Sequence, residues 1–485
     1  MDKSQMYEYL DQKQDTLTDV ANHIWDYAET AFEEFKSAEL LEKVLRENGF
    51  QVEEGVGKIK TAFCATYGTG KPVIGILAEF DALSGLSQKA HSAVREPVVE
   101  NGNGHGCGHN LFAGGSVGAA LAVKAYLESN KRPGTVKLFG CPGEEGGSGK
   151  AFMAREGVFK GLDIALAWHP QGVNAIFDIN FLANYQILYK FKGVAAHAAA
   201  APQMGRSALD AVELMDVGVN YLREHIIPEA RVHYAITNSG GFSPNVVQPE
   251  ASVLYLIRAP KTSQVEEIYQ RVNKIAQGAA LMTETSVEIQ FIKACANVVP
   301  NKSLSKAMFD NLKSLKLPEY TPEEIGFANE IAKTVPQSKT REEDLLHRVG
   351  TLPPEDFRCC VQQLKGKSLC DIVIPFYEDN PSAQMTMSSD VGDVSWNVPT
   401  AQVVTTCYAM GTPEHSWQLV SQDRTSIGYK GMMLAAKTIA GTAVDALENP
   451  ALIEKAKKEF HERLEGETYR CSIPKDVFPR PIRSL

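Results

Sequence analysis

The sequence predicts an α/β protein with a mixed, mostly parallel sheet that is flanked by helices, and with a ferredoxin-like domain inserted into it. Short, uninterrupted apolar runs such as residues 72–78 and 164–168 are typical of strands that are buried on both faces of a parallel sheet. Segments with helical spacing of apolar residues separate these runs. Between residues 185 and 297 the expected order becomes β-α-β-β-α-β, which is that of a ferredoxin-like unit.

The length of the chain predicts more than one domain. At 485 residues it is too long for a single hydrophobic core. The ferredoxin-like pattern covers residues 185–297, so residues 1–184 and 298–485 are expected to form one domain in two parts, with the smaller domain between them.

The elements expected outside the inserted domain follow from apolar spacing and from the residues that interrupt it. Helices are expected at residues 5–48, 111–127, 151–156, 303–316 and 322–334, and strands at residues 72–78, 135–141, 164–168 and 402–408. The Pro- and charge-rich remainder up to residue 385 could be a surface excursion or part of an oligomer contact.

The composition argues against several classes of protein. Apolar residues make up 44% and charged residues 22%, as in ordinary soluble globular proteins, and no apolar run approaches the length of a bilayer span. The net charge of −10, without a basic patch interleaved with aromatics, argues against a nucleic-acid partner. The N-terminus lacks a basic segment followed by an apolar one, so a cytoplasmic location is expected. The nine cysteines are scattered, so most are expected to be reduced.

A glycine-rich loop at Gly104–Asn110 is the strongest candidate for a metal site. It carries one thiol and two imidazoles separated only by glycines. Glycine allows positive φ and a close approach of the backbone, so such a loop can direct Cys107 and His109 at one point. The alternative is a glycine-rich turn with a buried thiol.

Further candidate side chains follow the expected strands. Each lies at the end of a strand or in the loop after it: Glu79 and Asp81, Glu144 and Glu145, His169, and His415. In open α/β sheets the ligand crevice lies beyond the carboxyl ends of the strands, so we expect Glu144, Glu145, His169 and His415 to converge with Cys107 and His109. Taken singly, each histidine would more often be a surface or core residue.

Three residues of the inserted domain are candidates for substrate contacts. Arg258 ends the apolar strand 253–257, where a lone guanidinium is costly unless an anion meets it, and its planar fork suits a carboxylate. An ordinary salt bridge would also explain it. His197 lies between alanines, and Asn245 lies in a turn that can present its amide.

Several of these motifs together carry a family resemblance. They are Glu79-Phe80-Asp81, Gly-Cys-Gly-His at 106–109, Pro-Gly-Glu-Glu-Gly at 142–146, His169, Gly-Val-Ala-Ala-His at 193–197, and His415. The combination resembles the co-catalytic metallo-amidohydrolases, which include aminoacylase, hippurate hydrolase, the auxin-conjugate hydrolases and glutamate carboxypeptidases. The resemblance covers nearly the whole chain and is weakest at residues 317–385.

The resemblance implies two divalent metal ions, Zn²⁺ or Mn²⁺, bridged by Cys107. The implied metal ligands besides this thiol are His109, Glu145, His169 and His415. Glu144 would be the general base, and Asp81 would orient a metal-binding histidine. Many relatives have a histidine where this chain has Glu79, so the assignment of ligands to the two ions stays open.

The resemblance also implies the reaction and the assembly. We expect hydrolysis of the amide bond of an N-acyl amino acid, with p-aminobenzoyl-glutamate as the foremost substrate, by a metal-activated water. The inserted domain would act as a lid and a dimerisation domain. Its His197 and Asn245 would lie near the oxyanion, and Arg258 at the substrate carboxylate, in the site of a neighbouring subunit.

Other functions remain open at this point. The chain could be a broader N-acyl-amino-acid hydrolase or a dipeptidase. It could also be a metal-binding, non-catalytic partner of a homologous catalytic subunit, so either a homodimer or a hetero-oligomer is possible. Asp390 and Asp393, which flank Gly392, could be turn residues; we hypothesise instead that at least one of them faces the crevice.

Overall fold

The computed structural model describes residues 1–336, 338 and 340–481. Its strands are β1 (Gln51–Glu54), β2 (Phe63–Thr69), β3 (Val73–Glu79), β4 (Gly134–Cys141), β5 (Ile164–Gln171), β6 (Ala175–Ile176), β7 (Ile179–Asn180), β8 (Ala183–Lys192), β9 (Arg231–Asn238), β10 (Glu250–Ala259), β11 (Ser286–Cys295), β12 (Ala383–Gln384) and β13 (Thr400–Thr406).

The α-helices surround these strands. They are α1 (Lys3–Gln12), α2 (Gln14–Tyr27), α3 (Phe35–Glu47), α4 (His109–Asn130), α5 (Glu144–Gly147), α6 (Gly149–Arg155), α7 (Ala208–Leu222), α8 (Thr262–Thr283), α9 (Lys302–Ser314), α10 (Pro322–Lys333), α11 (Arg341–His347), α12 (Pro354–Leu364), α13 (Val391–Ser395), α14 (Trp417–Asp423), α15 (Ser426–Glu448) and α16 (Pro450–Leu464). No helix among the described residues is both long and apolar enough to cross a bilayer.

The main sheet is mixed and mostly parallel, as the sequence predicts. Its strand order is β1-β2-β4-β3-β5-β13-β6. The four central strands β4, β3, β5 and β13 run parallel, whereas β1, β2 and β6 pair antiparallel at the edges. The apolar run of β3 is buried, with Ile74, Ile76 and Leu77 fully inaccessible, because helices cover the sheet.

Close packing explains the small residues of α4. This helix packs against α15 and against β3, β4 and β5. A Cβ at Gly115 would lie 2.7 Å from the ring of Trp168, and one at Gly114 would lie 2.6 Å from the sulfur of Met432. The missing side chains therefore let α4 approach the sheet and bring its N-terminal residue, His109, to the strand ends.

The inserted unit has the predicted β-α-β-β-α-β order. Strands β8, β9, β10 and β11 form an antiparallel sheet in the order β11-β8-β10-β9, and α7 and α8 pack on it. This is the ferredoxin-like arrangement. The domain boundaries at residues 184 and 297 stay a prediction.

Two regions differ in detail from the expectation. The helical stretch at residues 5–48 consists of three helices, with one break at Lys13 and another around Phe32, whose φ is 65°. Between residues 340 and 385, helices α11 and α12 pack through Leu346, Cys360 and Leu364 into a small apolar cluster that also contains Ala175 of β6 and Val404 of β13. The described part of this stretch is therefore packed against the main sheet.

Candidate active site

The candidate side chains meet at one edge of the main sheet. Asp81 follows β3, Glu144 and Glu145 follow β4, His169 lies in β5, and His415 lies in the loop after β13. Because β3, β4, β5 and β13 are parallel neighbours, their carboxyl ends lie side by side. Cys107 and His109 reach the same edge from the loop before α4.

Cys107 belongs to two groups of possible metal ligands. In the first, its sulfur lies with ring nitrogens of His109 and His169; in the second, with atoms of Glu145 and His415. Within each group the ligand atoms lie within 4.8 Å of one another. The Cys107 sulfur is 3.4 Å from His169 Nε2, and His415 Nε2 is 3.0 Å from Glu145 Oε1. One thiol is thus shared by two sets of donors.

Backbone contacts hold the two loops together. The His415 N–H donates to the carbonyl of Gly106 at 2.8 Å, so the loop after β13 is tied to the glycine-rich loop. His415 has a φ of 56°, and Gly108 a φ of 73°. Such positive φ values are uncommon for a histidine and favoured by glycine. These backbone conformations direct the imidazole of His415, and that of His109 after Gly108, toward the shared thiol of Cys107.

Asp81 orients His109. Its Oδ1 accepts a hydrogen bond from His109 Nδ1 at 2.9 Å, and its Oδ2 accepts one from the N–H of Glu145 at 2.9 Å. Burial disfavours the charged imidazolium, but the hydrogen bond and charge of Asp81 outweigh it and raise the pKa of His109 to about 10. With Nδ1 held by Asp81, the other ring nitrogen points into the site.

A third cluster contains Glu79, His109 and Glu144, whose ligand atoms also lie within 4.8 Å of one another. His109 Nε2 lies 3.2 Å from Glu79 Oε2. Burial, followed by the charges of Glu79, Asp390 and Glu145, raises the pKa of Glu144 well above its usual range. A carboxylate with increased proton affinity is suited to act as a general base.

The turn that carries Glu144 and Glu145 is fitted to its surroundings. Gly143 has a φ of 66° and donates its N–H to Glu34 Oε1 at 2.9 Å, and a Cβ there would lie 2.8 Å from the ring of Phe32. We expected the two glutamates in a loop, but they begin the single-turn helix α5. The turn points both carboxylates at the strand ends.

A cavity of about 470 Å³ opens beside the clustered side chains and extends to the inserted unit. Cys107, Glu144, Glu145, His169 and His415 line one end. The other end is formed by the sheet β11-β8-β10-β9 and by residues 386–389, and includes Phe177 and Phe181. This volume suits a small organic substrate.

The comparison with known proteins agrees with this geometry. Residues 75–350 match the peptidase family M20/M25/M40. The chain belongs to this family. It is 49% identical to one of the subunits of p-aminobenzoyl-glutamate hydrolase of Escherichia coli K12, over 99% of this chain and 100% of that protein. It is 28% identical to the Xaa-Arg dipeptidase of Mus musculus, over 96% of this chain and 93% of that protein.

A solved structure supports the shared fold. The dinuclear metal-binding M20 peptidase of Bacillus subtilis aligns with a TM-score of 0.55 at 15% identity, covering 90% of this chain and 99% of that one. Family membership makes the present chain an M20 hydrolase.

The donor set of this M20 chain fits divalent metal ions. His109 Nε2 and Glu145 Oε1 are buried without a hydrogen bond to any residue that the structure describes, although each lies near an ionisable side chain, Glu79 and His415 respectively. Burial and the charges of Glu145, Glu414 and Glu144 raise the pKa of the Cys107 thiol well above its usual range. A bound divalent cation would instead lower the pKa of the Cys107 thiol. It would be coordinated by His109 Nε2 and Glu145 Oε1.

The lid residues predicted from the sequence are not all brought to this cavity. Arg258 lines it and donates to Ser388 Oγ at 2.9 Å. It therefore lies in the cavity of its own chain, which differs from the expectation that it serves a neighbouring subunit. His197 and Asn245 are exposed and do not line the cavity.

The hypothesis that Asp390 or Asp393 faces the crevice is wrong. Neither lines the cavity, and both are buried. Asp393 accepts hydrogen bonds from the N–H of Ala296 at 3.0 Å and from the Tyr469 hydroxyl at 2.7 Å. These bonds join α13 to the end of β11 and to the C-terminal segment. Asp390 has a different partner, Lys150.

Lys150 was missed by sequence reasoning. Its ammonium lies 2.6 Å from Glu79 Oε1 and 2.5 Å from Asp390 Oδ1, and the side chain is fully buried. It therefore holds Glu79 beside His109. The only local signal was a lysine within the small and apolar residues that follow Glu144 and Glu145, and nothing in the sequence pairs it with a residue 240 positions away.

Proposed function

We propose that this chain hydrolyses the amide bond of an N-acyl amino acid, with p-aminobenzoyl-glutamate as the preferred substrate, in a site for two divalent metal ions. The observation that carries the proposal is the shared thiol of Cys107. A single sulfur within reach of two further sets of donors is what a bridged pair of ions requires. The substrate follows from the 49% identity to a hydrolase of that compound.

The two groups around Cys107 divide the proposed ligands between the ions. His109 and His169 would hold one ion, and Glu145 and His415 the other. Thiolate, imidazole and carboxylate together favour Zn²⁺ or Mn²⁺ over Mg²⁺. When bound, the ions would acidify a water molecule and polarise the amide carbonyl.

Glu144 would act as the general base. It adjoins the proposed ligand Glu145 but belongs to neither group around Cys107. Its raised pKa makes it a better proton acceptor than an ordinary glutamate. The carboxylate would take a proton from the attacking water and pass it to the leaving amine, while Asp81 keeps His109 in the tautomer that binds metal.

The substrate would lie along the cavity, with its amide at the end lined by Cys107 and Glu144. Its free α-carboxylate would meet Arg258 at the other end. A guanidinium binds a carboxylate in two parallel hydrogen bonds, so this contact would fix the orientation of the amino-acid half. We keep the prediction that the exposed His197 and Asn245 act in the site of a neighbouring subunit.

The assembly would be a homodimer or a complex with a homologous subunit. The relative from Escherichia coli is one subunit of its hydrolase, which implies a partner chain for that protein. Retention of Glu144 argues against a purely structural subunit here, because a non-catalytic partner has no need of a general base.

The experiment that tests the reaction is Glu144→Gln. We expect kcat for p-aminobenzoyl-glutamate to fall by about 10²- to 10⁴-fold, because the proton transfer is removed, while the metal content stays at the parent level. Glu156→Gln, at the end of α6, is the matched control and should retain both. Loss of metal together with activity would make Glu144 a ligand, and hydrolysis unaffected by the change would remove it from the mechanism.

A substrate panel distinguishes the alternatives. p-Aminobenzoyl-glutamate, hippurate and dipeptides ending in arginine would be tested with the purified chain. The arginine side chain would enter a cavity end that contains Arg231, Arg258 and Lys293, so like-charge repulsion should make those dipeptides poor substrates. Preference for them would favour the dipeptidase function instead, and inactivity on every compound would favour the non-catalytic partner.

A further inference from the structure

Two rows of side chains on one face of the sheet β11-β8-β10-β9 line the cavity. The row nearer the ends of β10 and β11 consists of Cys295, Asn184, Arg258 and Arg231, in spatial order across the strands. The next row consists of Lys293, Gln186, Leu256 and His233. Successive residues of a strand point to opposite faces, so these alternate residues share the face toward the cavity.

A β-bulge places Lys293 in the second row. In β11, Phe291 pairs with Ile187, but Lys293 pairs with Gln186, so Ile292 is an extra residue in this strand. If regular pairing continued past Phe291, Ile292 would pair with Gln186 and face the cavity, and Lys293 would face the helices. Bulges are often found beside active sites, where they redirect a side chain. Here the bulge turns an ammonium group into the cavity.

Lys293 is buried without a partner of opposite charge. Its residue is 8% exposed, and its ammonium makes no hydrogen bond or ion pair within the described ranges 1–336, 338 and 340–481. The buried lysines Lys150 and Lys302, in contrast, each pair with a carboxylate. Its ammonium faces the cavity with no opposite charge beside it among the described residues, so an anion in the cavity would stabilise this arrangement.

The same face offers other groups suited to an anion and carries no acid in the two rows. Asn184 lies between Lys293 and Arg258 in the sheet, and its Oδ1 is buried without a hydrogen bond, so its amide can turn to suit a ligand. The carboxylates that line the cavity, among them Glu144 and Glu145, come from the turns at the strand ends of the main sheet, with the proposed metal ligands. The cavity wall therefore combines acidic side chains of the main sheet with cationic side chains of the inserted unit.

The spacing of the two cations suits two carboxylates of one molecule. Arg258 on β10 and Lys293 on β11 flank the central strand β8, so their backbones are about 10 Å apart laterally. Both side chains are long and extend into one cavity. They can approach a small dianion from two sides, with the neutral side chains of β8 between them.

We propose that Lys293 binds a second carboxylate, that of the amino-acid side chain of the substrate, while Arg258 binds the α-carboxylate. This inference rests on the proposed function and narrows its substrates to N-acyl derivatives of dicarboxylic amino acids. An acyl amino acid with a neutral side chain would leave the ammonium of Lys293 without a counter-ion in the cavity.

The test compares p-aminobenzoyl-glutamate with p-aminobenzoyl-glutamine, which has nearly the same shape and a neutral side chain. The parent should prefer the acid in kcat/KM by about 10- to 100-fold, as expected for a hydrogen bond to a charged group. Lys293→Met should abolish this preference, chiefly by raising KM for the acid, because the residue lies away from the reacting amide. Lys293→Arg should retain most of the preference.

A matched control is Lys190→Met. Lys190 lies on β8 on the same face of the sheet as Asn184 and Gln186 but does not line the cavity, so the preference should stay at the parent value. Equal preference in the parent and in Lys293→Met would overturn the inference and leave the proposed function intact.

A binding measurement decides the inference if the purified chain turns over neither compound, an outcome that would count against the proposed function alone. Calorimetry should then show p-aminobenzoyl-glutamate binding the parent about 10-fold or more tightly than Lys293→Met, with no such difference for p-aminobenzoyl-glutamine. Equal affinities of the two proteins for the acid, or no binding by the parent, would overturn the inference.

Discussion

Lys150 shows how a single buried charge supports the candidate site. Its ammonium lies between the carboxylates of Glu79 and Asp390, and all three residues are at most 2% exposed. A buried ion pair contributes little net stability compared with apolar residues, but removing one partner leaves the other charge uncompensated. The positions of Glu79 and of the adjacent His109 therefore depend on a lysine that touches no proposed metal ion.

We predict that Lys150→Met lowers the free energy of unfolding by about 3–5 kcal/mol, because two buried carboxylates lose their counter-charge. Urea denaturation of the parent and the variant measures this difference. Lys306→Met is the control, since its pair with Asp310 is exposed and should change the stability by less than about 1 kcal/mol. A similarly small effect at Lys150 would mean that the buried carboxylates are protonated in the folded chain.

At the scale of elements, α4 depends on the absence of side chains. Alanine is a better helix former than glycine by about 1 kcal/mol, yet a Cβ at Gly115 would lie 2.7 Å from Trp168. The helix begins with His109 and packs on β3 and β5, so a shift of α4 would also move a proposed metal ligand. Packing and the position of His109 therefore favour glycine at position 115, although alanine is the better helix former.

We predict that Gly115→Ala destabilises the chain by about 1–3 kcal/mol, as overpacking does in well-packed cores. Gly278→Ala in α8 is the matched control, because no atom of the described part of the chain lies within 4 Å of a Cβ there, and it should stabilise by about 0.5–1 kcal/mol. Thermal unfolding of both variants gives the comparison. If the two substitutions had the same sign, helix propensity rather than packing would determine the effect at Gly115.

At the scale of the whole molecule, the proposed metal ions would connect distant parts of the chain. The ligand groups join the loop before α4 to the ends of β4 and β5 and to the loop after β13. A ligand that binds only the folded state adds RT ln(1 + [L]/Kd) to stability, about 4 kcal/mol at a thousandfold excess over Kd. The folded chain and its ions should therefore be thermodynamically coupled.

We predict that a chelator lowers the melting temperature by several degrees, and that Zn²⁺ or Mn²⁺ restores it, because binding energy is lost and regained. Cys107→Ala should show a much smaller change on chelation, since the shared ligand is missing. Metal analysis of both proteins accompanies the melts, and the variant should hold at least one ion fewer. A melting temperature insensitive to chelator in the metal-loaded parent would contradict the coupling.

The fold class and the group of candidate ligands could be predicted from local patterns in the sequence. Strands buried on both faces are continuous apolar runs, and polar residues at their carboxyl ends must meet when the strands are parallel. Local patterns therefore sufficed to bring together Cys107, His109, Glu145, His169 and His415. The apolar strand before Arg258 indicated that this guanidinium needs an anionic partner, and the structure places it in the cavity.

The surroundings of that group depend on contacts between segments that are far apart in the sequence. Lys150 meets Asp390 across 240 positions, and that contact depends on how α6 and the segment before α13 pack. Lys293 faces the cavity because one extra residue in β11 reverses the alternation, and such a bulge is a property of strand pairing rather than of one strand. The burial of Asp390 and Asp393 likewise depends on contacts between segments that are far apart in the sequence, and no local pattern records such contacts.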